Sequence, residues 1–562
     1  MSGSAFSIKT IKTTPYLDQK PGTSGLRKKV RVFMKENYTE NFVQSVFDAM
    51  PSPGPINSTI VVGGDGRYYL KDVIQKIIKI GAANGVKKLI IGQDGIFSTP
   101  AVSNIIRTRN ANGGILLTAS HNPGGIDNDF GLKYNVSNGG PAPENITDMI
   151  FTCSKTISEY KMADIPDVDL SKITTTKFGD FEIEVIDSVT AYTSMIKEIF
   201  DIELIKSFLQ KYPDFKILFD GLNGVTGPYG KSLFIEELGL PSSSIDQCVP
   251  LEDFGGEHPD PNLTYAHKLV VNVEKNNIDL GAASDGDGDR NMIISNDWFV
   301  NPSDSVAVIA DYAAEAIPYF KKTGLKGLAR SMPTSASIDR VAEAHKVQLF
   351  EVPTGWKFFG NLMDAGKLSV CGEESFGTGS DHIREKDGLW AIIAWLNIVA
   401  HESMKQNKLV TIKSIMQNHF SKYGRNYFSR YDYEEVDSDS ASKMYTELKS
   451  KMDSELVGQM FGSEKLTIVK ADDFSYTDPI DKSVSKNQGL RLLFKDGSRI
   501  VVRLSGTGSS GATIRLYYEM YENRADMLMM DTQEALKPLI DISLKITKLE
   551  EYTGRKEPTV IT

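Results

Sequence analysis

The sequence predicts a multidomain α/β protein, three α/β domains with mixed, largely parallel sheets followed by an α+β domain. Three observations predict it. Short apolar strands alternate with helical patterns over most of the 562 residues, the rhythm of parallel α/β layers. Three successive segments each end a strand in a polar, glycine-rich loop: TASHNP (118–123), DGDGDR (285–290) and GEESFG (372–377). In open α/β sheets such strand ends are where ligands bind. After about residue 420 the texture changes to long runs that read as antiparallel strands.

Taken in order, STIVVGGD (58–65) reads as a buried strand and KDVIQKIIKIGAANG (71–85) as a helix. In that helix Val73, Ile74, Ile77, Ile78 and Ile80 suit one face. KKLIIG (87–92) and GGILLTAS (113–120) supply further strands. The pattern recurs at FKILFDG (215–221), followed by a helix, and at IDLGAAS (278–284), which runs into DGDGDR. It appears again at KGLARSM (326–332), VQLFEV (347–352) and KLSVCGEES (367–375). Beyond that, RNYFSRYDYEEVD, LRLLFKDGSRIVVRLSG and ATIRLYYEMYE read as antiparallel strands, with KDGS as a hairpin turn. LKPLIDISLKITKLEEYTG (536–554) reads as a closing helix. The expected domains are 1–187, 188–299, 300–420 and 421–562.

Bulk properties narrow the function. A net charge of −10 argues against general nucleic-acid binding, which needs a cationic footprint. An anionic ligand would then require a locally basic pocket. Cys153, Cys248 and Cys371 are far apart and odd in number, a pattern of a reducing compartment without a disulfide framework. The N-terminal MSGSAFSIKT has no apolar leader core, its second residue is Ser, and no run approaches the length of a membrane span. A cytoplasmic protein, with no membrane or nucleic-acid partner and monomeric, is expected.

DGDGDR places Asp285, Asp287 and Asp289 around a tight glycine turn. Hard oxygen ligands of this kind suit Mg²⁺ or Ca²⁺. The EF-hand register fails: its sixth position is Arg290 rather than Gly, its twelfth is Asn296 rather than Glu, and the following NMII reads as a strand. Mg²⁺ commonly completes its shell with substrate phosphate oxygens, so three carboxylates point to a phosphoryl group. Ser120 could be a nucleophile, a phosphate carrier or a turn residue. It lacks a G-x-S-x-G elbow and a companion Asp–His set, so a hydrolase triad is poorly supported. His121, its neighbour, is a weak general-base candidate, and Lys133 in FGLKYN could accept a proton if its pKa is depressed.

RLSGTGSSGATIR (503–515) contains a G-x-G-x-x-G, but a strand-like segment follows where a dinucleotide fingerprint needs a helix. Arg503, Ser505, Gly506, Thr507 and Arg515 suit a phosphate monoester better. GVTGPYGKS (224–232) misses the Walker A spacing and reads as a turn into a helix. LRKKVR (26–31) is a short basic run in an acidic chain. In CGEESFG, Glu373, Glu374 and Ser375 could be an acid/base pair or acceptors for sugar hydroxyls. PTGWK (353–357) offers turn backbone and an indole.

Together these residues resemble the α-D-phosphohexomutase superfamily. TASHNPGG, DGDGDR, GEESFG and RLSGTGSSGATIR occur in that family's order, joined by PGTSGLR (21–27) and SDHIREKDG (380–388). The resemblance spans essentially the whole chain and, with GEESFG as the sugar loop, points to the eukaryotic-type phosphoglucomutase branch. It implies three similar α/β domains and a C-terminal domain of TATA-box-binding-protein-like fold around one central cleft. It implies interconversion of glucose 1-phosphate and glucose 6-phosphate through a phosphoserine and a glucose 1,6-bisphosphate intermediate. Ser120 would carry the phosphoryl group, and Asp285, Asp287 and Asp289 would hold Mg²⁺ with a phosphoserine oxygen. His121, Lys133, Arg27 and Lys386 would serve proton transfer or positioning. Thr23, Ser24, Arg290, Thr354, Gly355, Glu373 and Ser375 would bind the substrate, and Arg503, Ser505, Gly506, Thr507 and Arg515 its non-reacting phosphate. The rivals are a mutase for mannose phosphates, a non-catalytic relative of the fold and a metal-dependent phosphatase. Domain four is expected to close over the cleft.

Overall fold

The structure, a computed structural model, describes residues 6–22, 24–505 and 511–562, with backbone alone at residue 453. Its first three domains repeat one four-strand arrangement. In the first, β1 (Thr59–Gly64) lies between β2 (Lys88–Ile96) and β3 (Gly113–Leu117), parallel to both, and β4 (Asp129–Val136) returns antiparallel to β3. In the second, β5 (Ile217–Asp220) lies parallel to β6 (Ile245–Asp246) and β7 (Leu280–Ser284), and β8 (Asn291–Ser295) returns antiparallel to β7. In the third, β9 (Gly327–Ser331) lies parallel to β10 (Gln348–Val352) and β11 (Val370–Glu373), and β12 (Gly377–Ser380) returns antiparallel to β11.

The connection from third to fourth strand is therefore the same slot in all three domains. It is filled by residues 118–128, 285–290 and 374–376, which contain the serine, aspartate and glutamate motifs. Strands β3, β7, β9 and β11 are buried throughout. Their sequences are correspondingly rich in apolar and small residues without strict alternation, Arg330 and Glu373 excepted, as strands covered on both faces are.

Helix α1 (Leu70–Ala83) buries Val73, Ile74, Ile77, Ile78 and Ile80, the face its spacing marks. Helix α2 (Thr99–Thr108) starts at a Ser98 cap, whose hydroxyl accepts from the Ala101 N–H, with Pro100 in the first turn. Helix α3 (Gly388–Gln406) is buried on nearly every side. The first sheet gains an edge strand, Leu26–Lys29, beside β4. That strand accounts for the start of LRKKVR. Lys28, Lys29 and Arg31 pair with Asp18, Asp129 and Asp127, so the run is charge-compensated and presents no open basic patch.

One apolar core runs without a break from Val61 and Val102 through Phe219 and Leu280 to Val306 and Trp395, joining the first three domains. The last domain has its own core, built on β13 (Arg425–Val436), β14 (Ser463–Asp473), β15 (Leu490–Phe494), β16 (Arg499–Ser505) and β17 (Ala512–Glu522), with α4 (Thr532–Thr547) packed across it. These strands pair antiparallel, and β15 and β16 are joined by the hairpin at 495–498. A small cluster of Met332, Phe428, Phe474, Val501 and Tyr517 joins it to the third domain. No helix among the described residues is long and apolar enough to cross a membrane.

Candidate active site

Strand β3 delivers the chain to Ser120 in the left-handed region, at φ 55°. A non-glycine residue there costs about 1–2 kcal/mol, so something must hold it. The Ser120 N–H donates to Thr118 Oγ1 at 2.7 Å, and that hydroxyl donates to Asp65 Oδ2 at 2.6 Å. On the other side the Ser120 carbonyl accepts from Arg67 Nη2 at 3.1 Å. Thus fixed, Ser120 Oγ crosses the domain boundary and donates to Asp285 Oδ2 at 3.0 Å. A Cβ at Gly286 would come 2.6 Å from the Ser120 carbonyl oxygen, so the glycine between the aspartates permits this approach.

The carboxylates of Asp285, Asp287 and Asp289 are buried, with ligand atoms all within 4.8 Å of one another. Asp285 Oδ1 accepts from the Arg290 N–H at 2.9 Å, Asp287 Oδ2 from Thr99 Oγ1 at 2.8 Å, and Asp289 pairs with Lys386 Nζ at 3.0 Å. The Thr99 N–H also donates to the Asp287 carbonyl at 2.9 Å, so the capped start of α2 is docked on the loop. Asp287 Oδ1 and Asp289 Oδ1 are buried without a hydrogen-bond partner among the described residues. Burial, then the charges of Asp287 and Asp289, push the Asp285 carboxyl well above the usual range. A hard divalent cation relieves both conditions at once, and an all-oxygen donor set suits Mg²⁺.

The aspartate and glutamate loops are joined by backbone. Arg290 bridges Gly377, and the Asn291 N–H donates to the Phe376 carbonyl at 2.9 Å. Glu373 Oε1 accepts from the Gly355 N–H at 3.2 Å, and Thr354 Oγ1 beside it is buried with no partner among the described residues. Burial pushes the Glu373 carboxyl up, against the opposing pull of Lys386. Ser375 is half-buried. Glu374 is committed elsewhere: it pairs with Arg430 at 2.8 Å while its N–H donates to Thr334 Oγ1. Arg290 leans on Asp260 at 3.2 Å, leaving its Nε without a hydrogen-bond partner among the described residues.

In the last domain register builds the arginine pair. Arg503 on β16 faces Arg515 on β17, which faces Asp432 on β13. Directly paired residues share a sheet face, so the three lie in a row. Arg515 Nε stands 3.5 Å from Asp432 Oδ1, an ion pair outside hydrogen-bond geometry. Arg503 donates to the Gln488 carbonyl at 3.2 Å and reaches the Tyr517 hydroxyl at 3.4 Å. Ser505 pairs with Thr513 in register. Gly506 and Thr507, like Thr23, lie outside the described residues, and Ser24 is an exposed turn residue.

His121 Nδ1 is 3.4 Å from Ser120 Oγ. Its pKa lies well below the usual histidine range, through burial first and then Arg290, Arg27, His258 and Arg515. An arginine from each of three domains thus acts on one imidazole, which places the serine loop, the aspartate loop and the Arg503–Arg515 pair around one space. Arg27 has a buried Nε with no partner among the described residues. Lys133 donates to Glu385, which also accepts from Asn135 Nδ2 at 2.8 Å; the lysine is held in an ion pair. Burial opposes the Lys386 ammonium, but Asp289 and other carboxylates outweigh it and raise its pKa.

Several site residues escaped the sequence reading. Thr99 had a signal in the Ser-Thr-Pro helix start. Asp65 and Arg67 sit in GGDGR at the end of β1, in the ligand-bearing position of an α/β sheet. Arg430 and Asp260 had none, since one lies inside a strand and the other in an irregular loop.

A buried serine aimed at three carboxylates that suit a hard cation, with two guanidinium groups on facing strands of the last domain, defines a phosphoryl-transfer enzyme for a small phosphorylated substrate. Comparison with known proteins agrees. Three α/β/α domain models of phosphoglucomutase/phosphomannomutase match residues 18–161, 190–298 and 301–423, and the phosphoglucomutase-1 C-terminal domain model matches 425–559. A phosphoglucomutase of Emericella nidulans is 58% identical over 560 residues, covering 99% of this chain and 100% of the relative. Human phosphoglucomutase-1 is 57% identical over 566 residues with the same coverage. The crystal structure of the Paramecium exocytosis-sensitive phosphoprotein parafusin, a phosphoglucomutase, in its open form superposes with a TM-score of 0.89 at 48% identity, covering 99% of each chain. This chain belongs to the phosphoglucomutase/phosphomannomutase family.

Proposed function

We propose that this chain interconverts α-D-glucose 1-phosphate and D-glucose 6-phosphate, with Ser120 as the phosphoryl carrier. The single observation carrying the reading is Ser120 Oγ at 3.0 Å from Asp285 Oδ2, across a domain boundary. Phosphorylated Ser120 passes its phosphoryl group to the 6-hydroxyl of glucose 1-phosphate, giving bound glucose 1,6-bisphosphate. The bisphosphate turns over, its 1-phosphoryl group goes to Ser120, and glucose 6-phosphate leaves. Asp285, Asp287 and Asp289 would hold Mg²⁺, which when bound neutralises charge on the transferring group. Arg503 and Arg515 hold whichever phosphate is not reacting, and Glu373, with the Thr354–Gly355 turn, receives sugar hydroxyls. Neutral His121 is the expected proton-transfer residue best placed to accept a proton beside Ser120. Turning without escape calls for closure of the last domain, and its separate core supports that motion. A cytoplasmic monomer is the proposed setting, in keeping with three free thiols.

The deciding assay is Mg²⁺-dependent conversion of glucose 1-phosphate, with and without trace glucose 1,6-bisphosphate, beside mannose 1-phosphate. Stimulation by the bisphosphate is expected. Faster mannose turnover overturns the sugar assignment, and phosphate release without isomerisation indicates a phosphatase. Arg515→Ala should weaken substrate binding by ~1.5–3 kcal/mol, the scale of a charged hydrogen bond. Asp432 keeps Arg430 as a partner at 3.0 Å, so the change strands no buried charge. An unchanged KM would remove Arg515 from the clamp.

A further inference from the structure

We propose that Arg67 and Phe254 are positioning residues that set the spacing between the serine loop and the metal loop. The inference rests on Ser120 as phosphoryl carrier. Arg67 is 1% exposed, and in its ion pair with Asp65 neither side chain is exposed at all. Its Nε donates to Asp65 at 2.9 and 3.0 Å, its Nη1 to the Asp129 carbonyl at 2.6 Å, and its Nη2 to the carbonyls of Ser120 at 3.1 Å and Asn122 at 3.3 Å. One guanidinium thus gathers the start and the end of the loop onto the end of β1. Asp65, through Thr118, also holds the Ser120 N–H. Both peptide groups of Ser120 are therefore governed by the same buried pair, which over-determines its left-handed backbone.

The second domain supplies the other half. The Arg67 guanidinium lies 5.1 Å from the Phe254 ring centroid, a cation–π distance. Phe254 is fully buried and itself left-handed, at φ 54°. A Cβ at Gly124 of the serine loop would meet its ring at 2.9 Å, and one at Gly286 of the metal loop would meet it at 3.2 Å. The ring is wedged between the two loops with Arg67 stacked on it. The Tyr68 N–H, next to Arg67, donates to the Glu252 carbonyl at 2.9 Å and pins the same turn. The stack therefore bears on the distance from Ser120 Oγ to Asp285 while supplying neither a metal ligand nor the reacting hydroxyl.

The test uses the full chain carrying Arg67→Lys or Phe254→Leu, with Ser120→Ala alongside. Steady-state kcat and KM for glucose 1-phosphate are measured. So are the rate constant and final extent of Ser120 phosphorylation by glucose 1,6-bisphosphate in a single turnover. A misplacement near 1 Å can cost about a hundredfold, so kcat and the single-turnover rate constant should both fall ~10–100-fold. KM should stay within about twofold of wild type, and the final phosphorylated fraction should remain complete. A merely structural role would lower the phosphorylated fraction and leave the rate constant of the folded molecules unchanged. That outcome, or unchanged kcat in both variants, overturns the inference. Should Arg67→Lys fail to fold, Phe254→Leu alone decides. Turnover persisting in Ser120→Ala would instead overturn the phosphoryl-carrier reading.

Discussion

Ser120→Ala is expected to abolish mutase turnover, by at least ~10⁴-fold, the scale seen when a catalytic nucleophile is removed. Alanine keeps the Cβ and so keeps the left-handed backbone at the same cost as serine. The Thr118 and Arg67 contacts are to main-chain atoms of Ser120 and survive the change. What disappears is the hydroxyl that donates to Asp285 and would carry the phosphoryl group. Sugar-phosphate and Mg²⁺ binding, measured by titration calorimetry, should remain largely intact, since Asp285, Asp287, Asp289 and the sugar- and phosphate-binding groups lie on other loops. Substantial residual turnover would show that another group receives the phosphoryl.

Asp287→Asn should give a paired signature of opposite signs. Activity and Mg²⁺ affinity should fall by more than the 10–100-fold typical of second-sphere changes, because Asn removes a charged ligand outright. In EDTA, however, the thermal midpoint should rise. Three buried carboxylates within reach of one another repel, and neutralising one relieves that repulsion in the metal-free protein. Asn keeps an oxygen to accept from Thr99 Oγ1, so the docking of α2 is preserved. Added Mg²⁺ should then raise the midpoint of the wild type more than that of the variant, through binding to the folded state. Equal Mg²⁺ responses in a midpoint titration would exclude Asp287 from the metal site.

How much of this was legible in the sequence follows from what each interaction depends on. The strands and α1 were legible because burial on both sides of a sheet, or on one helix face, leaves an apolar pattern in consecutive residues. The DGDGDR carboxylate cluster was legible because all three aspartates come from one loop. The arginine clamp was half legible: Arg503 and Arg515 flank a glycine loop, but only strand register shows that they face one another and that Asp432 joins the row. Lys133 shows the limit. Its candidacy as a proton acceptor requires a free amine, whereas Glu385, far along the chain, holds it in an ion pair. Phe254, and what Arg67 does beyond marking a strand end, were hidden for the same reason. Beyond the Arg67–Asp65 pair, their contacts are with carbonyls, glycines and one another, in segments that only the tertiary fold brings together.

The shared slot between third and fourth strands grades the chemistry by reach. Residues 374–376 span the slot in the third domain as a tight turn that leaves Glu373 at the end of its own strand. Residues 285–290 allow a turn wide enough to gather three carboxylates, but their ligand atoms still face inward on one another. Residues 118–128 form the longest of the three connections, and theirs sets a hydroxyl against the neighbouring domain's carboxylate. On the proposed reading, one repeated connection drawn at three lengths divides the labour among holding a sugar, holding an ion and handing over a group.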